Sequence, residues 1–163
     1  MNSFLPTEQR IDHTRERYPP FPREPAVLVR LIKHLHKLVH DDANATLRPY
    51  GLNHPEYNLL MMLYGTPGGA LSASELAESS GEKSANITRL TNGLCDKGLI
   101  ARTADEDDRR KVMLALTPAG EALIGALLPD VCALLDRQMR TLDAGDQRQL
   151  EGLLKKMLSG LTA

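Results

Sequence analysis

The spacing of apolar positions divides the chain into helices at both ends and a short middle that carries strands. Between residues 26 and 47, Leu28, Leu31, Ile32, Leu35, Leu38 and Val39 recur at three- and four-residue steps, the repeat of one helix face. Pro49 and Gly51 end that helix. Asn53, Pro55 and Glu56 then supply a polar cap, an early proline and a glutamate three residues on, which start another helix. Its body, Tyr57 to Tyr64, is apolar nearly all round and predicts burial on several sides. Gly65 to Gly69 reads as a loop. Ser72 and Glu75 form a capping-box pattern that opens a short helix ending near Ser80 and Gly81. Ser84 to Lys97 predicts the next helix, with Ile87, Leu90 and Leu94 toward the core and Gly98 at its end.

Two strands follow, Leu99 to Arg102 and Lys111 to Leu116, flanking a charged tip from Asp105 to Arg110. In the second, Val112, Leu114 and Leu116 alternate with Lys111, Met113 and Ala115, a period of two. Thr117 and Pro118 are a cap and a first-turn proline, and predict a long helix to about Leu142, with Pro129 as a point of kinking. Asp143 caps a last helix through Leu158, striped by Leu150, Leu153, Leu154, Met157 and Leu158. At the other end, Pro6, Pro19, Pro20, Pro22 and Pro25 make residues 1–25 an arm, extended from Tyr18 to Pro22, with room for a short helix between Thr7 and Arg17.

Helix, turn, helix and then a hairpin is the plan of a winged helix-turn-helix, in which one helix fits a DNA major groove and the tip reaches a minor groove. The expected fold is mainly α with a small β-hairpin wing. The terminal helices carry more apolar surface than one small winged domain can bury, so a second copy is expected to cover them, and a symmetric pair would match a palindromic site. Three parts follow: an N-terminal arm, 1–25; a helical dimerisation region, 26–50 and 118–163; and a winged helix-turn-helix, 51–117.

Composition changes the picture in two places. With 4% aromatics and no Trp, the core must be aliphatic. The formal net charge of −1 argues against a broad basic field. Locally, Lys83, Arg89, Lys97, Arg102, Arg109, Arg110 and Lys111 oppose Asp96, Asp105, Glu106, Asp107 and Asp108, which leaves residues 83–111 at +2. DNA affinity would then come from placed contacts, doubled in a dimer. No N-terminal signal pattern is visible and no apolar run approaches the roughly 20 residues of a membrane span, so a cytoplasmic protein is expected.

On the predicted second helix, Ser84, Asn86, Thr88, Arg89, Thr91 and Asn92 lie on the polar side. Their hydroxyls and amides suit base edges and phosphates, and Arg89 suits a bidentate contact to guanine. A merely solvated face is the alternative, and the wing beside it favours DNA. Arg109 and Arg110 at the tip suit a narrow minor groove, while the surrounding acids read as turn formers and intramolecular partners of the arginines.

Other chemistry is thin. His36 and His40 share a helix face beside Asp41 and Asp42, but His34 lies on another side and no second cluster completes a metal set, so no metal is expected. Cys95 and Cys132 have no CxxC spacing, and redox sensing through either is the runner-up within regulators. Gly120 to Gly125 lies within a helix without a βαβ context, and no serine sits in a GxSxG elbow. An enzyme is therefore not expected, nor a cofactor. An alternative of another class is a winged protein-interaction module that leaves DNA alone, which the near-neutral charge favours.

From about Leu28 to Leu158 the chain resembles the MarR family of bacterial transcriptional regulators. The resemblance rests on Tyr57–Leu60 (YNLL), Ser74–Ala77 (SELA), the Ser84–Leu94 helix, Asp96–Ile100 (DKGLI), Asp105–Arg110 (DEDDRR) and Leu116–Gly120 (LTPAG), in order. Pro6–Gln9, Phe21–Pro22, Asn86–Arg89 and Leu127–Pro129 are similar to the multidrug-efflux repressor branch. The resemblance implies a homodimeric repressor whose affinity for its operator falls when a small aromatic or lipophilic compound binds. It also implies that Arg110 enters the minor groove and Asp108 supports the wing. For the effector, Arg17, Tyr18, Arg30, His34 and Tyr57 are candidates, since a cation with aromatic walls suits an aromatic carboxylate. Ordinary packing is the competing reading for each of the five.

Overall fold

A computed structural model describes residues 4–81, 83–104 and 112–162. Its helices and strands run in the order α1 (Leu5–Arg17), α2 (Arg23–Leu47), a 3-10 turn (Arg48–Tyr50), α3 (His54–Gly65), β1 (Ala70–Ser72), α4 (Ala73–Ser80), α5 (Ser84–Asp96), β2 (Ile100–Ala104), β3 (Val112–Leu116), α6 (Pro118–Met139) and α7 (Ala144–Leu161). The chain divides into two compact units, Met1–Ala45 and Thr46–Ala163.

In the first unit, α1 and the start of α2 form a helical hairpin. Asp12 of α1 pairs with Arg23 of α2, and Arg15 with Glu24. Residues 18–22 are not the extended arm that their prolines suggest: the Phe21 N–H donates to the Tyr18 carbonyl at 2.9 Å and closes a turn. Helix α2 also begins at Arg23, three residues before the predicted start, and so includes Pro25. A proline in the first turn costs little, because the N–H it lacks would have no intrahelical partner there.

The second unit is built around an aliphatic core that joins Leu59, Leu60 and Leu63 of α3 to Leu76 of α4, Ile87 and Leu94 of α5, Leu114 of β3, and Ile124 and Leu127 of α6. Capping explains the helix starts. Asn53 and Glu56 exchange bonds at the head of α3, Ser72 and Glu75 at α4, and Asp143 and Asp146 at α7. Helix α5 ends at Asp96, and the chain turns away at Gly98, whose φ of +68° is a conformation that side chains disfavour.

The sheet has three strands in the order β1-β3-β2, all pairs antiparallel, with Leu71 opposite Leu114 and Ala101 opposite Ala115. The expected hairpin is therefore joined by β1, whose three residues are too few to show a period.

By length and apolar composition α6 is able to cross a membrane, contrary to the expectation from the sequence. Asp130 is the only charge between Glu121 and Asp136. Yet Ile124, Leu127 and Val131 pack into the core of the unit, which accounts for the apolar face as packing surface.

Candidate nucleic-acid interface

Helix α5 presents one face to the core and the other outward. Ile87, Leu90 and Leu94 are buried, while Ser84, Thr88, Arg89 and Asn92 are exposed and Asn86 is half-buried. Lys83 stands at the N-cap of the helix and makes no side-chain cap bond. The Arg89 guanidinium donates to the Asn86 side chain at 2.9 Å, which holds it along the outer face. The Thr88 hydroxyl donates to the Ser84 carbonyl at 3.0 Å and keeps its lone pairs for an outside donor.

Thr91 departs from the predicted polar face. It is only 3% exposed, and its hydroxyl donates to the Thr88 carbonyl at 3.2 Å. One step beyond Leu90, it falls on the flank that packs inward, so it is not available to DNA. Asp108, Arg109 and Arg110 lie outside the described residues.

The structure adds Arg102. Its guanidinium donates to the side chain of Asn92, so a cation from β2 lies beside the outer face of α5. Read along the chain, Arg102 enters only the charge count, because nothing in the run from Leu99 to Ala104 shows that it turns toward the preceding helix.

Lys97 is withdrawn from the local positive charge. Its ammonium donates to Glu56 Oε1 and to the Gly51 carbonyl, both at 2.8 Å. Glu56 Oε2 meanwhile accepts the Asn53 N–H at 3.0 Å. This buried carboxylate thus joins the head of α3 to the end of α5 and fixes the angle at which the outer face is presented.

Arg17, Tyr18, Arg30 and His34 belong to the first unit and Tyr57 to the second. Arg17 and Tyr18 are exposed at the end of α1, and the His34 ring lies 5.8 Å from that of Phe4. Arg30 lines a cleft between α1 and α2. Tyr57 lines a separate cavity of about 490 Å³ with Asn58, Met61, Met62, Ser80 and Leu90. Burial, with a smaller contribution from Cys132, raises the Tyr57 phenol above its ordinary range. Of the two thiols, Cys95 is half-buried against the core and Cys132 is exposed. Among the described residues, no three His, Cys, Asp or Glu side chains are grouped to hold a metal.

A family model described as MarR family matches residues 52–112, which run from the head of α3 to the start of β3. The HTH-type transcriptional regulator PrsX of Escherichia coli is 30% identical over 161 residues, covering 99% of this chain and 97% of PrsX. The chain belongs to the MarR family.

The transcriptional repressor MprA of Escherichia coli strain K12 is 29% identical over 160 residues, 98% of this chain and 91% of MprA. In structure, a mutant MarR from E. coli complexed with operator DNA superimposes with a TM-score of 0.75 at 25% identity, covering 88% of this chain and 96% of that one. This MarR-family chain is a DNA-binding transcriptional regulator and not an enzyme.

Proposed function

We propose that this MarR-family regulator is a cytoplasmic repressor that acts as a homodimer on a pseudo-palindromic operator and is released by a small aromatic or lipophilic effector. The observation that carries the DNA side is the convergence of Arg89 and Arg102 on one exposed face, each held by an asparagine of α5. Ser84, Asn86, Thr88, Arg89 and Asn92 read one half-site, and Arg102 anchors a phosphate beside it. Arg109 and Arg110, braced by Asp108, take the flanking minor groove.

The dimer is supported by apolar surface left in water. Leu28, Ile32, Leu35 and Val39 form a stripe along α2, and Leu150, Leu154, Leu158 and Leu161 another along α7, all exposed. Residues 26–50 and 118–163 are the dimerisation region of this reading, 51–117 its winged helix-turn-helix and 1–25 an arm that precedes both. An effector acts by favouring a dimer shape whose reading heads no longer match the half-site spacing, which requires it to prefer that shape.

The test is a fluorescence-anisotropy titration on DNA from upstream of the chain's own gene or a neighbouring transporter gene. It is run at two salt concentrations, with and without salicylate-like acids. Selective, salt-dependent binding that the acid weakens is expected. Absence of selective binding at either salt would return the weight to a protein-interaction module. The exposure of Cys132 favours a second reading, in which a thiol senses oxidants. An oxidant response that survives Cys95→Ser with Cys132→Ser removes it.

A further inference from the structure

We propose that Glu56 and Lys97 determine the sequence specificity of the reading head, as a positioning pair that aims α5 from its C-terminal end. The inference rests on the operator reading above and deepens it. Glu56 is only 8% exposed and stands in the first turn of α3. Both of its oxygens are used. Oε2 accepts the Asn53 N–H at 3.0 Å, and Oε1 accepts the Lys97 ammonium at 2.8 Å. Lys97 is the C-cap residue of α5. Gly93, one turn earlier, lies against the same carboxylate: a Cβ there would sit 3.8 Å from Glu56 Oε1. The end of α5 is thus held to α3 by charge and by close approach of backbone.

The second bond of Lys97, to the Gly51 carbonyl at 2.8 Å, lands on a turn that is itself fixed. The Gly51 N–H donates to the Arg48 carbonyl at 3.0 Å, and Leu52 is buried. The Tyr50 hydroxyl donates to Asp130 of α6 at 2.7 Å. One ammonium therefore ties the reading helix to α3 and, through the turn, to α6.

The rest of α5 is held differently. Ile87, Leu90 and Leu94 sit in the aliphatic core, and apolar contact has no preferred direction. The exposed bond from Arg102 to Asn92 joins two groups that DNA itself engages in this reading, so it does not set the angle beforehand. Directional bonds at the far end then decide the tilt. At about 1.5 Å per residue, Arg89 stands roughly 12 Å and Ser84 roughly 20 Å along the axis from Lys97. A tilt of about 5° about that end moves them by about 1–2 Å. A bidentate contact to a base edge fails at such an error, because hydrogen bonds weaken steeply off their geometry. Attraction to phosphates does not need that accuracy. Loss of the pair should cost discrimination between sequences and spare non-specific affinity.

The experiment uses the full chain, a duplex that the parent selects from a randomised pool, and a scrambled duplex as reference. Anisotropy gives both affinities at several salt concentrations. The deciding variant is Glu56→Gln with Lys97→Met. The glutamine keeps an acceptor for the Asn53 N–H, so the cap of α3 survives. No buried charge is stranded, as it would be in Lys97→Met alone. The double variant is expected to melt near the parent and to bind scrambled DNA with the parental affinity and salt slope. Its preference for the selected duplex should fall at least about tenfold. Lys97→Arg keeps the charge and its donors and should retain part of that preference. Unchanged preference in the double variant would overturn the proposal. So would a salt slope lower by about 1 with all sequences weakened alike, because Lys97 would then be a phosphate contact. A preference lost only in step with Tm would leave the pair a structural role and overturn it too. A parent that selects no sequence would sink the operator reading and this inference with it, a result distinct from a selective parent with an equally selective variant.

Discussion

Gly120→Ala puts a methyl group where the winged sheet meets α6. An ideal Cβ at this position lies 2.1 Å from the Leu99 carbonyl oxygen and 3.2 Å from a Leu116 methyl. Relief requires the oxygen to retreat beyond 3.0 Å. That oxygen is not free to move, because it accepts the Thr117 N–H at 3.0 Å. The adjacent Gly98 carbonyl is also held, by the Thr117 hydroxyl at 2.7 Å. Overpacking against fixed backbone costs about 1–3 kcal/mol. Losing the Thr117 bond adds about 1 kcal/mol. Replacing glycine by alanine in a helix returns roughly 0.5–1 kcal/mol. The net is a loss of about 1–3.5 kcal/mol, or a fall in Tm of about 2–14 °C for a chain of this size. Gly152 of α7 is the control, since a methyl group added there would meet nothing within 4 Å. Gly152→Ala should raise Tm by about 1–4 °C through helix propensity alone. Both variants are melted at the same protein concentration, because the proposed dimer would make Tm depend on it. A Gly120→Ala protein as stable as its parent would show that the Leu99 carbonyl yields, and the account of this junction would be wrong.

Four further outcomes are expected. Arg89→Ala should cost about 1–3 kcal/mol on the preferred operator and relax sequence preference, whereas Arg102→Ala should weaken all sequences alike and lower the salt slope by about 1; anisotropy on matched and scrambled sites separates them, and the reverse pattern would exchange the roles assigned. Thr91→Val should leave operator affinity unchanged and cost about 1 kcal/mol in urea denaturation, since only the bond to Thr88 is lost; a drop in DNA affinity at unchanged stability would put Thr91 back in the interface. The hydrogen bond to Asp130, and then burial, raise the Tyr50 phenol above 10.0. The folded state therefore keeps that proton longer, and the associated stability is full below pH 10 and is lost as pH rises through the folded value; Tyr50→Phe should flatten the decline between about pH 9 and about pH 11, and parallel curves would refute it. Leu154→Glu with Leu158→Glu should shift the protein toward monomer in sedimentation and abolish half-site pairing on DNA; an unchanged dimer would remove α7 from the interface.

The elements that were legible in the sequence are those whose signal is local. Asn53 with Glu56, Ser72 with Glu75 and Thr117 before Pro118 each carry their own cap chemistry within four residues, and each marks a helix start to within a residue. The core face of α5 was legible from Ile87, Leu90 and Leu94 because a helix repeats within a turn. What escaped depends on distant partners. Strand β1 exists because Ala70 to Ser72 find Met113 to Ala115, more than forty residues away. Arg102 joins the candidate interface through Asn92, and Lys97 leaves it through Glu56, neither of which spacing along one helix can show. Thr91 failed for a subtler reason: a hydroxyl looks polar in sequence, yet a helix lets it bond the carbonyl three residues back and sit in the core.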